Sequence, residues 1–156
     1  MPGESEIEVP PEHIVERFLQ LLSLGEVGDA VDVLDADVVY TNVSLPTLRG
    51  RERVRRLARA TLGRPSAGFE VYLHAISTRG GTVLTERTDV LTYGPVRIQF
   101  WVCGRFDVEG DRIVVWRDYF DWLAFGLATA RGLLGVLLPG LRSKPPAAGR
   151  LGASRR

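Results

Sequence analysis

The chain has 156 residues, 20 Lys and Arg against 19 Asp and Glu, and 45% hydrophobic residues. That balance fits one domain with a well-covered core and gives no net electrostatic reason to expect a nucleic-acid partner. Its single cysteine, Cys103, excludes an intramolecular disulfide and any multi-cysteine zinc site, which fits a reducing cytoplasm.

Residues 1–9 are acidic, lack an apolar h-region and read as a flexible N-terminus, not a signal peptide. Pro10-Pro11-Glu12 opens a helix that carries Ile14, Val15, Phe18, Leu21 and Leu22 at helical spacing. After Gly25, the spacing of Val27, Ala30, Val31 and Leu34 predicts a short second helix, and Val38 to Val43 a strand with Tyr40 and Asn42 on one face. Arg51 to Leu62 is a third helix. Its arginines, with Arg49, imitate a nucleic-acid patch, but Glu52 interrupts them and a solvated helix face is the better reading.

From Gly68 the pattern changes to four alternating strands joined by tight turns at Gly80-Gly81, Gly94-Pro95 and Gly110-Asp111. Three helices before an antiparallel meander predict an α+β fold over residues 10–141. Trp122 to Leu141 is long enough for a membrane span, yet Arg131, Gly126, Gly132, Gly135 and Pro139 interrupt it. It reads instead as a helix covering an apolar cavity or a subunit contact. Residues 142–156 are rich in Pro, Gly, Ala and Arg and read as a disordered basic tail.

Two strands carry charge where the pattern asks for apolar residues. Arg87 and Asp89 project from one face together with Val83 and Leu91, so they form either a structural ion pair or a working site. Asp118 shares a face with Val114, Trp116 and Phe120, and that carboxylate needs a partner. In a meander both strands flank the strand from Val96 to Val108, and curvature would let them meet across a pocket. Two carboxylates on one guanidinium retain one proton, which separates an acid from a base.

Tyr40-x-Asn42, Arg87-x-Asp89 and the late-strand Asp118 resemble the active-site set of the limonene-1,2-epoxide hydrolase family, and the similarity runs over about residues 10 to 137 in element order. The resemblance implies a cystatin-like or NTF2-like cone, a strongly curved, mixed but mainly antiparallel sheet with helices closing its mouth, in a homodimer. It also implies one-step hydrolysis with no metal, cofactor or covalent intermediate. Asp118 is then the base that activates a water held by Tyr40 and Asn42, Asp89 the acid, and Arg87 the bridge between them. The expected walls are Leu91, Trp116, Phe120 and Phe125, with the Leu133–Leu138 segment. They imply a lipophilic terpenoid, fatty or sterol-like epoxide.

Other readings stay open on the same fold. An isomerase or cyclase could use Tyr40 with Asp89 as oxyanion donor and carbon-acid base, although Arg87 favours the ionised form of that acid. In a lipid-binding module the polar cluster would merely cap a cavity. His13, His74 and Cys103 have no partner at a recognisable spacing and receive no role.

Overall fold

The four strands expected after Gly68 are β3 (Ala67–Arg79), β4 (Thr82–Tyr93), β5 (Val96–Glu109) and β6 (Arg112–Tyr119) in the computed structural model, which describes residues 8–153. Hairpins join them in antiparallel pairs, with Gly80, Gly94 and Gly110 at positive φ in the turns. They are preceded by α1 (Pro11–Leu24), α2 (Val27–Asp32), β1 (Leu34–Asn42), β2 (Leu48–Arg49) and α3 (Arg51–Leu62), and followed by α4 (Trp122–Leu137) and a 3-10 turn at Pro139–Leu141.

The sheet order is β2-β1-β6-β5-β4-β3. The pairing of β1 with β6 is parallel, so the sheet is mixed and mainly antiparallel, as expected. The parallel register sets Tyr40 beside Trp116 and Asn42 beside Asp118. This places Asn42 next to the last strand's carboxylate, with Tyr40 two residues before it on the same strand.

The core lies between the sheet and α1, whose Val15, Phe18 and Leu19 are fully buried with Phe106, Val71 and Val83 from the strands. Helix α1 ends at Gly25, φ 80°, the left-handed residue that lets its N–H return to Leu22 O. Strict alternation along β6 would place Val114 inside. A register shift opposite Asp107 and Val108 instead leaves Ile113 completely buried and Val114 half-buried.

Strand β6 pairs with β5 only from Cys103 onward, and α4 packs beside the stretch of β5 before it, with Gly132 against the Arg97 carbonyl. The helix thus covers a strand edge that would otherwise be open.

The disordered tail expected from residue 142 is not what residues 142–153 form. Arg150 donates to the Ser23 carbonyl (2.6 Å) near the C-terminal end of α1, where a cation complements the helix dipole. The Leu151 N–H bonds Val71 O (2.8 Å), and its side chain packs against the core. Two residues in a polar, glycine-rich stretch therefore anchor it. The expected flexible stretch 1–9 falls largely on residues 1–7, which lie outside the described residues, as do residues 154–156.

Candidate active site

Arg87 is the residue on which the site is built. It is 1% exposed, and each end of its guanidinium has a partner. Nε donates to Asp89 Oδ1 (2.9 Å) and Oδ2 (3.2 Å), Nη2 pairs with Asp118 Oδ2 (2.8 Å), and Nη1 donates to Thr85 Oγ1 (3.2 Å). The group also lies 5.9 Å from the centroid of the Phe106 ring. Asp89 and Thr85 share the Arg87 face of β4 by alternation. Asp118 belongs to β6, with β5 in between.

The passage across β5 is made by Gly104, which pairs with Thr85 on one side and Asp118 on the other. A Cβ at this position would collide with Arg87 Nη1 and stand 2.7 Å from Thr85 Oγ1 and 2.9 Å from the Phe106 ring. The guanidinium lies over the glycine as through a window. Sheet curvature alone, the expected means of contact, is therefore not what joins Arg87 to Asp118. The signal available in the sequence was a lone glycine inside an otherwise alternating strand.

Burial shifts the ionisation of Asp89, Arg87 and Tyr40. Burial pushes the Asp89 carboxyl up from its usual 3.8 to about 6; Arg87 opposes that rise and Asp118 adds to it. Burial works against the charge on Arg87, but the two aspartates outweigh it and raise its pKa further above the ordinary value. Burial likewise raises the Tyr40 hydroxyl well above its usual 10, with the Asp118 carboxylate adding to the effect. Tyr40 therefore stays a neutral donor and acceptor.

Asp89 and Asp118 face a cavity of about 280 Å³, and Tyr40 and Asn42 line it as well. Asp118 Oδ1 is buried with no hydrogen-bond partner among the described residues, whereas Oδ2 is occupied by Arg87. The rest of the lining is mostly apolar: Leu91, Trp116 and Phe120, as expected, with Phe18 and Leu22 from α1 and Val54 and Leu57 from α3. Phe125 does not reach the cavity. Its ring backs two wall residues instead, 4.9 Å from Phe100 and 5.8 Å from Phe120. The Leu133–Leu138 segment contributes nothing to the lining, and several of its leucines point to solvent. The wall residues of α1 and α3 went unread in the sequence because core and cavity positions share one helical stripe.

A floor of this kind can lend a proton to one oxygen while taking a proton from another, inside a mostly apolar wall. That is the equipment of an epoxide hydrolase of the small curved-sheet class. Comparison with known proteins agrees. The profile of the limonene-1,2-epoxide hydrolase catalytic domain matches residues 9–131. Epoxide hydrolase EphG of Mycobacterium tuberculosis (strain ATCC 25618 / H37Rv) is 47% identical over 130 residues, 83% of this chain and 85% of that protein. The solved structure of a limonene-epoxide-hydrolase-like epoxide hydrolase from M. tuberculosis superposes with a TM-score of 0.79 at 45% identity, covering 86% of this chain and 95% of that one. An NTF2-like protein from Anabaena variabilis has the same fold, with a TM-score of 0.62 at 25% identity over 78% of this chain and 94% of its own. The chain belongs to the limonene-1,2-epoxide hydrolase family.

Proposed function

We propose that the chain adds water to a lipophilic epoxide in one step to give a trans-opened vicinal diol. Asp118 Oδ1 takes a proton from a water that Tyr40 and Asn42 orient, and the water oxygen bonds to a ring carbon from the face opposite the epoxide oxygen. The bond from that carbon to the epoxide oxygen breaks, and the oxygen takes the proton of Asp89. The cycle closes when Asp118 passes on the proton it gained and Asp89 regains one. Arg87 orients both carboxylates throughout, with a planar fork that a lysine does not have. Every step uses groups of the chain itself, so the reading requires no metal or cofactor.

The observation that carries this reading is a single guanidinium bonded to two buried carboxylates, at 2.9 Å and 2.8 Å. Of the two, Asp89 is the one pushed up to about 6. An acid with a pKa near neutrality is suited to protonate a leaving oxygen. The cavity volume of about 280 Å³ is at the small end of ligand pockets, which run from roughly 300 to 1,000 Å³. It favours a terpenoid or slender fatty epoxide over a sterol. Clearance of such reactive lipophilic compounds, in the cytoplasm, is the role that fits.

The homodimer that the resemblance implies is best served by the sheet face turned away from the cavity. There Leu84, Trp101 and Tyr119 are exposed among residues of both charge signs, which suits a self-complementary contact. The decisive experiment is turnover of a panel of lipophilic epoxides in isotopically labelled water. Diol carrying one solvent oxygen, formed by the wild type and reduced roughly 10²–10⁴-fold in Asp118→Asn and in Asp89→Asn, is the expected result. Absence of diol from every epoxide, with proton exchange on an enone, would replace this reading by the isomerase one.

A further inference from the structure

Helix α4 packs inside out. The side it turns inward is built largely from small residues, with Gly132 against the Arg97 carbonyl of β5 and Gly135 against Arg142 of the segment that follows the helix. The leucines point the other way: Leu123 is 72% exposed, Leu127 64% and Leu137 79%, and Leu134 and Leu138 stand beside them. These positions recur at helical spacing, so they form one continuous stripe. A helix on the surface of a water-soluble domain ordinarily has the opposite arrangement.

Charge is segregated in the same part of the chain. Six of the 20 basic residues and none of the 19 acidic ones fall between Trp122 and Arg156. Arg131 stands within the leucine stripe, with its Nε donating to Leu141 O (2.7 Å), and Arg142 and Lys144 follow directly. An apolar stripe that holds Arg131 and, beyond the capping Asp121, carries no carboxylate is complementary to an apolar layer covered by anions.

We propose that α4 and the basic segment behind it seat this protein on an anionic lipid surface. The leucines enter the boundary between headgroups and acyl chains, and Arg131, within the stripe, meets the phosphates. The helix lies in the plane of that surface. Its 16 residues rise only about 24 Å, and no helix among the described residues is long and apolar enough to cross a membrane. A second copy of the chain fits this face less well. A two-fold contact would bring its cations together, and Asp121, the carboxylate at the start of the helix, is engaged in capping it. The inference concerns a surface and does not depend on epoxide turnover.

The test is co-sedimentation of the full chain with phosphatidylcholine vesicles and with vesicles that also contain phosphatidylglycerol. Binding is expected only to the anionic vesicles, weakened at least about tenfold by molar salt, which shortens the Debye length to about 3 Å. Leu127→Glu and Leu137→Glu should each weaken it by at least about tenfold as well, at unchanged melting temperature because both positions are exposed. Equal binding to the two vesicle types, absence of binding, or binding untouched by either glutamate overturns the proposal. So does a wild-type oligomer, seen by light scattering, that both variants dissociate while no vesicle is bound; that result would assign the face to a second copy.

Discussion

Replacing Gly104 by alanine is expected to disable the site from behind, without touching any group that meets substrate. The new Cβ would collide with Arg87 Nη1 and stand 2.7 Å from Thr85 Oγ1, where ordinary contact begins at 3.4 Å. A long arginine could move aside on a protein surface. Here it is held by Asp89, Asp118, Thr85 and the Phe106 ring, and any retreat stretches the 2.8 Å bond to Asp118. Losing one partner of a buried pair costs roughly 3–5 kcal/mol, so stretching the bond by most of an ångström should cost about 2–3 kcal/mol. In a chain of this size that corresponds to a melting temperature lower by roughly 5–10 °C. Misplacing Asp118 by a similar distance should lower kcat/KM by about 10²-fold. Gly126→Ala is the control, since nothing stands within 4 Å of its Cβ position; it should melt at or above the wild-type temperature. Thermal melts and epoxide turnover check both variants. A Gly104→Ala protein with the wild-type melting temperature and kcat/KM within about twofold would refute the glycine window.

Three more outcomes are expected. If Asp89 must be protonated to act, kcat/KM should fall about tenfold per pH unit above its pKa of about 6; a profile flat from pH 6 to about 8 would remove Asp89 as the acid. The same group ties stability to pH. Its folded pKa is raised above the ordinary 3.8, so the stabilising contribution is fully present below about pH 4 and is lost as pH rises through about 6. The rise corresponds to about 3 kcal/mol, and Asp89→Asn should flatten that part of a pH series of denaturant melts. Arg87→Lys should lose at least about 10²-fold in rate, because an ammonium point charge cannot bond Asp89 and Asp118 at once; full activity would deny the bridge. Incubation with a chelator should leave turnover unchanged, and inhibition reversed by added metal would break the proposed mechanism.

The residues of the buried charged cluster were legible because each violates a local rule. Arg87 and Asp89 interrupt an apolar strand face and Asp118 interrupts another, and alternation alone assigns their directions. The hairpins from β3 to β6 were legible for the same local reason, since glycine turns separate clear period-two runs. What the pattern missed is long-range. The first four residues of β1, Leu34 to Asp37, carry two aspartates and too short a pattern to announce a strand, and Leu34 is held in the sheet by parallel pairing to Ile113 of β6. No turn announces a parallel partner some eighty residues away. Strand β2 has two residues, too few to show a period. The docked tail depends on Arg150 and Leu151, which composition averages away.

The arrangement also explains why so costly a cluster sits where it does. An arginine and two aspartates can be buried only if nearly every hydrogen-bonding atom finds a partner. The sheet supplies those partners from its own register: Asp89 and Thr85 lie two residues to either side of Arg87, and Asp118 lies across the glycine window. One acceptor, Asp118 Oδ1, is left over. In a purely structural ion-pair network such an orphan would be a defect costing about 1–3 kcal/mol. Beside Asn42, in register on the parallel strand, and in a side chain that lines the apolar cavity, it is the atom from which a base can act. The fold therefore directs its hydrogen bonds to immobilising the guanidinium and leaves one acceptor open on the carboxylate that the proposed mechanism uses as base.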